Sequence, residues 1–309
     1  MKLSELVAYK NELDQLSAWH IFNSANNDLQ KITHLVQTCN IQLNDTVTDI
    51  VNQYNQVVGA VDQFEDSLNK LKCRVDEEIA QAEKPWFQES YRLYEGELEK
   101  SADVILKLRA NHDDLTVFKS RLARYVDWQH AGIIIRPGNG SFVDDMVGLD
   151  PLYLIDIEHD YLKPTVEKFT KVYQRRLRQY VVTEDINSEI LWRLPDNQFG
   201  VCLVYNYFNF RPLEIIKKYL NEIYNKLKPG GILNLTFNDC DRVSAVKLVE
   251  QYYCCYTPGK LMKELALSIG YEITFTWHDD GPTTWLELRK PGVLRSLRGG
   301  QTLAKIIPK

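Results

Sequence analysis

Apolar positions in the first third of the chain recur at alternating steps of three and four. From Leu43 they run through Val47, Ile50, Tyr54, Val57, Val61, Phe64, Leu68, Leu71 and Val75. This is the spacing of a heptad seam. The register extends back to Val36 and Leu29, with Asn40, Thr33 and Asn26 between them. Asparagine in a seam weakens it but fixes register or strand number. Between Phe22 and Ala82 there is no proline, and Gly59 is the one glycine. The pattern predicts a long α-helical coiled-coil region, and a continuous helix from Phe22 to Ala82 would span roughly 90 Å. A shorter amphipathic helix, Leu3 to Trp19, precedes it as a cap or docking element. Lys84-Pro85 then interrupts, because proline suits the first turn of a helix and is poor inside one. A second helical pattern follows through Phe87, Tyr91, Tyr94, Leu98, Ile105, Leu108, Leu115, Phe118, Leu122 and Val126, with Ser101 and His112 on its seam. Either it folds back on the first as an antiparallel hairpin, or both extend into an oligomeric stalk.

After Asp127 the pattern changes. Short apolar runs at 133–135, 153–157, 180–183, 201–205, 232–236, 272–277 and 284–289 alternate with helical periodicity. Strands connected through helices form a parallel sheet covered on both faces. The expected fold is therefore α/β, a doubly wound and mostly parallel seven-stranded sheet behind the helical region. The expected domains are 1–126 (helical, oligomerising), 127–292 (α/β) and 293–309 (a basic tail). Ligands of such sheets sit beyond the carboxyl ends of the strands, where strand order reverses. Arg136, Gly138, Asn139, Gly140, Asp156, Asp185 and Asn206 are all expected there.

The segment from Gly132 to Asp156 reads as strand, glycine turn, helix and second strand ending in an acid. Glycines let a ligand approach the backbone, and a following helix aims its amides at it. An acid at the end of the second strand is placed to accept from a ribose diol. Further on, Leu194-Pro195-Asp196 with Phe199 opens a buried strand. A helix then carries Ile215, Ile216, Leu220, Ile223 and Leu227, and Lys228-Pro229-Gly230-Gly231 forms a sharp turn into another apolar strand. On these motifs the segment from about Gly132 to Pro291 resembles the class I S-adenosylmethionine-dependent methyltransferases, including a final helix and antiparallel strand pair.

The resemblance implies S-adenosylmethionine as cofactor. It places Gly138 to Gly140, including Asn139, in the turn under it. It sets Asp156 on the ribose hydroxyls, Ile157 on the adenine face, and Asp185 with Ile186 at the adenine edge. Asn206, past the fourth strand, would face the methyl acceptor as the candidate catalytic group. Two positions depart from the family pattern. Ile134 stands where it has an acid, and Arg136 stands where it has a glycine. Arg136 either pairs with the cofactor carboxylate or fills the pocket. Phe199-Gly200 replaces the usual phenylalanine-aspartate pair. An amino-methylating N-P-P-Y motif is absent.

Composition narrows the partners. The 309 residues carry a net charge of −5, which does not indicate nucleic-acid binding. No run of 18 apolar residues exists and the first ten residues do not read as a signal peptide, so a cytoplasmic protein is expected, or alternatively a virion component. The six cysteines show no metal spacing, and no metal site is expected. Partners are expected to be further copies of the chain, or a larger assembly, through the coiled coil. His112 reads more readily as a packed residue than a ligand. Arg175, Arg176 and Arg178 read as cations at a helix end. Two function classes follow: a methyltransferase whose helices oligomerise it or recruit its target, and a non-catalytic assembly protein, such as a bacteriophage virion component, that keeps the fold.

Overall fold

The computed structural model describes residues 2–15, 45–95, 108–109, 112–138, 140–278 and 281–294. The chain divides into two compact units, Met1–Lys84 and Pro85–Lys309.

In the first unit, α1 spans Leu3–Gln15 and α2 spans Asp45–Ala82. The 38 residues of α2 extend it to about 57 Å. Lys10 Nζ lies 2.7 Å from Asp76 Oδ1, and Lys72 Nζ lies 3.6 Å from Asp14 Oδ1. Numbers rise along one helix as they fall along the other, so the pair is antiparallel. Leu13 of α1 packs with Leu68, Val75 and Ile79 of α2. Two predicted seam positions, Leu68 and Val75, are thus covered from within the chain by the short first helix. The alternate seam positions Val57, Phe64 and Leu71 are exposed. The seam readings at Asn26, Leu29, Thr33, Val36, Asn40 and Leu43 lie outside the described residues.

The second unit opens with α3, Lys84–Glu95, which carries Pro85 in its first turn as expected. Phe87 meets the Tyr256 ring edge-on at 5.1 Å, and Ser90 Oγ accepts from Tyr256 N. After residues 96–107, which include Ser101 and lie outside the description, α4 spans His112–Leu122. The His112 side chain is also outside it. Phe118 and Leu122 are buried, Phe118 between Phe142 and Trp285 at ring distances of 5.6 and 4.1 Å. At the described positions of the second helical pattern, α3 and α4 turn apolar side chains onto the α/β unit.

Seven strands follow: β1 Ala131–Ile135, β2 Leu152–Asp156, β3 Leu177–Val181, β4 Phe199–Val204, β5 Leu227–Asn238, β6 Glu272–His278 and β7 Thr283–Arg289. Between them lie α5 Val143–Met146, α6 His159–Glu167, α7 Lys171–Gln174, α8 Leu213–Lys226, α9 Val243–Glu250 and α10 Gly259–Ile269. The sheet order is β3-β2-β1-β4-β5-β7-β6. The first five strands are parallel, and β7 runs antiparallel to β5 and β6. This is the doubly wound, mostly parallel sheet with a final antiparallel pair that the sequence predicts. Alternation along β1 assigns its faces. Ile133 and Ile135 pack with Ile216, Leu220 and Met262 on one side, and Ile134 packs with Val143, Met146 and Leu162 on the other.

Three motifs have structural roles. Lys228 to Gly231 lies within β5 instead of forming a turn before it. Leu227 pairs with Phe199 and Ile232 with Val201, so the four residues bulge from the ladder. Gly230 sits there at φ +78, and a Cβ on it would come 2.2 Å from the Leu294 backbone N. Asp196 of the Leu194-Pro195-Asp196 motif holds the buried Lys226 Nζ at 2.8 Å, as does Glu189. Arg176 pairs with Asp150 at 3.3 Å, and Arg178 donates to the Arg175 carbonyl. Cys202, Cys240, Cys254 and Cys255 are buried free thiols. Among the described residues no helix is long and apolar enough to cross a membrane, and no three metal-binding side chains cluster.

Candidate ligand cleft at the strand switch point

Strand order reverses between β1 and β4, and their carboxyl ends open onto a cleft of about 930 Å³. Ile134 and Leu203 form its floor. Phe142, Tyr161, Tyr205 and Leu115 line its sides, and Arg136, Gly138 and Asn206 stand at its polar edge. Asp156, Ile157, Asp185 and Ile186 follow the ends of neighbouring strands but are not among its lining residues.

Arg136 leaves β1 with φ +57. That left-handed conformation is free for glycine and unfavourable for a side-chain-bearing residue. Its amide still donates to the Ile155 carbonyl at 2.8 Å, so β2 holds the backbone in place. Gly138 and Gly140 follow at φ +56 and +77. The Gly138 carbonyl accepts from Thr165 Oγ1 at 2.8 Å, and Gly140 N donates to the Pro137 carbonyl at 2.8 Å. Asn139 lies outside the described residues. The helix expected after this turn is the four-residue α5, too short to develop a strong dipole. The amide focus expected from a full helix is therefore reduced.

Asp156 ends β2 with its side chain wholly buried. Its Oδ1 accepts from Ile157 N at 2.8 Å and from Arg136 Nη1 at 3.2 Å. The guanidinium also lies 4.3 Å over the Tyr161 ring. Arg136 thus reaches across to Asp156 and bonds one of its two oxygens. Ile157 is half-buried against the core. Asp185 turns back on its own loop. It accepts from Asn187 N at 2.9 Å, and this bond with a second from Ser188 holds its carboxyl below the usual range. Ile186 is exposed, and its carbonyl accepts from Lys218 Nζ at 2.9 Å. Asn206, at φ +49, donates its backbone N–H to Thr236 Oγ1 at 2.7 Å, and its amide reaches toward the Leu108 carbonyl at 3.5 Å.

Of the residues expected from the sequence, Arg136, Gly138 and Asn206 stand together at this edge; Tyr161, Phe142, Tyr205 and Leu115 were not among them. Phe142 and Tyr205 had a usable signal, since both follow strand ends that converge on the switch point. Tyr161 and Leu115 had none, because nothing in their spacing marks them as facing the cleft.

These residues do not fit an adenosyl cofactor as they stand. The acid that should receive ribose hydroxyls holds a guanidinium. The residues expected around adenine lie outside the cleft.

No protein-family model matches the sequence, and neither does any curated protein. Solved structures do match. An S-adenosylmethionine-dependent methyltransferase from Mesorhizobium loti aligns with TM-score 0.45 and 10% identity, over 56% of this chain and 96% of its own. A SAM-dependent methyltransferase from Aquifex aeolicus aligns with TM-score 0.44 and 14% identity, over 63% of this chain and 97% of its own. The [4+2]-cyclase SpnF aligns with TM-score 0.46 and 14% identity, over 60% of this chain and 84% of its own. The α/β unit has the doubly wound sheet order β3-β2-β1-β4-β5-β7-β6 with an antiparallel β7, and these likenesses are all at low identity.

Proposed function

We infer that this chain keeps the methyltransferase fold without turning over S-adenosylmethionine, and that it serves as a non-catalytic component of a larger assembly. The observation that carries the reading is the Arg136–Asp156 pair at 3.2 Å on a wholly buried carboxylate. Removing one partner from a buried pair costs about 3–5 kcal/mol. Two neutral hydroxyl donors from a ribose return about 1–3 kcal/mol at the usual net value per hydrogen bond. The difference, about 2 kcal/mol, weakens an adenosyl ligand by roughly thirtyfold relative to an open site.

The helical unit supplies the assembly half of this reading. Val57, Phe64 and Leu71 are exposed at seven-residue spacing on one helix. Such a stripe suits packing against a helix of another copy or of a particle such as a virion.

A second reading, S-adenosylmethionine-dependent methyl transfer to an unknown acceptor, is favoured by the cleft itself. It opens at the switch point with Gly138 and Asn206 on its edge. That reading requires Arg136 to leave Asp156. Equilibrium dialysis of the full chain against labelled S-adenosylmethionine separates the two. The non-catalytic reading expects no retention at micromolar cofactor, and stoichiometric retention would overturn it.

A further inference from the structure

We propose that Arg136 is a built-in stand-in for the ribose of an adenosyl ligand, and that this one side chain closes the nucleoside half of the cleft. The proposal rests on the non-catalytic reading above and adds to it the responsible group and the reversibility of the closure. A ribose diol offers two hydroxyl donors to a carboxylate. A guanidinium offers planar N–H donors and a positive charge, a stronger match for the one oxygen, Oδ1, that it reaches. Arg136 Nη1 is 3.2 Å from Asp156 Oδ1, and the Asp156 side chain has no solvent exposure.

The side chain has a second partner that keeps it in place. Its guanidinium carbon is 4.3 Å from the Tyr161 ring centre, within the range of a cation–aromatic contact. Arg136 and Tyr161 both line the cleft, whereas Asp156 does not. Arg136 thus bridges the two, touching Tyr161 on the cleft side and Asp156 beyond it.

The backbone is already suited to removal of that bridge. Arg136 has φ +57, a conformation glycine adopts at no steric cost. Its amide bond to the Ile155 carbonyl does not depend on the side chain. Beside it, a Cβ on Gly138 would meet nothing within 4 Å, so the turn has open space next to it. Arg136→Gly therefore joins the cleft to Asp156 without asking the turn to change shape.

Calorimetry with S-adenosylhomocysteine tests this on the full chain as wild type, Arg136→Gly and Arg136→Gly/Asp156→Ala. Arg136→Ala serves as a second opened variant, and circular dichroism confirms that each protein is folded. The expected result is no saturable heat from wild type at about millimolar ligand. The opened variants should bind at least about thirtyfold more tightly than that limit, and the double variant should lose the gain. Folded Arg136→Gly and Arg136→Ala that stay as silent as wild type would overturn the proposal and leave the non-catalytic reading standing. Micromolar binding by wild type would overturn that reading, and the proposal with it.

Discussion

Arg211 Nε lies 2.7 Å from Glu184 Oε2, with both side chains almost wholly buried. Glu184 also accepts from Tyr207 Oη at 2.5 Å and from Tyr94 Oη at 2.9 Å. Burial raises the Tyr207 phenol well above its ordinary pKa, so it remains a donor at neutral pH. The network fixes the segment after β3 and ties α3 to it through Tyr94. Glu184→Ala should cost about 3–5 kcal/mol, because it leaves the Arg211 charge buried without its partner. Glu184→Gln should cost less. Urea denaturation followed by circular dichroism measures both, and equal losses would contradict the ion-pair account.

Glu222 caps a different loop. Its two oxygens accept from Ile190 N at 3.0 Å and Leu191 N at 2.6 Å. Glu222→Ala strands both donors and should cost about 2 kcal/mol or more. Burial outweighs these bonds and raises the carboxyl above its ordinary value of 4.5. A raised acid binds its proton more tightly in the folded state. Stability from this group should therefore increase as pH falls through the folded pKa toward 4.5, and change no further below that value. The stability difference between wild type and Glu222→Gln, measured from neutral pH to about pH 4.5, should move in favour of wild type.

His278 has the opposite sign. Its Nδ1 is 2.7 Å from Thr284 Oγ1, which donates to the buried Asp239 at 2.6 Å. Burial lowers the imidazole pKa below 6.5, and Arg242 and Lys263 add to that, against the opposing pull of Asp239. A depressed base is protonated more readily in the unfolded chain, so stability is full above 6.5 and declines as pH falls through that value toward the folded pKa. Melting temperatures of wild type and His278→Asn should diverge between pH 7.5 and 5.5, about one unit either side of the ordinary imidazole value. Wild type should lose more on acidification.

In the first unit, Leu68→Ala should cost about 2–4 kcal/mol by leaving a cavity against Leu13 and Val75. Lys10→Ala, at a solvent-exposed pair with Asp76, should cost under about 1 kcal/mol. Hydrogen exchange along α2 in the full chain reads both. Equal effects would show that the ion pairs, and not the apolar contact, hold α1 to α2.

The sheet was legible because each strand is a compact apolar run bounded by turn residues or helical periodicity. Ile133, Ile134 and Ile135 all read as buried, and all are, on alternate faces. The bulge at Lys228 to Gly231 was misread as a turn, because Pro-Gly-Gly has the same composition in both settings. The pairing of Gly230 N with the Lys290 carbonyl and of Lys290 N with the Gly231 carbonyl distinguishes them, and it joins residues remote in sequence. The departure at Arg136 is visible as an arginine in a glycine's place, and Asp156 and Asp185 are the two acids it could pair with. Which acid a long side chain reaches depends on the direction in which the turn leaves β1. Glu184, Tyr207 and Arg211 carried no periodic signal, and their network joins the segments after β3 and β4, which are remote in sequence.

On the proposed reading, Arg136 denies Asp156 to an adenosyl ligand in the resting protein. Thermal unfolding of the wild-type chain with and without S-adenosylmethionine tests it most directly. A ligand that binds the folded state alone adds about 2.7 kcal/mol at a hundred times its dissociation constant. The expected result is an unchanged melting temperature at about millimolar cofactor. A concentration-dependent rise that Asp156→Ala abolishes would contradict it.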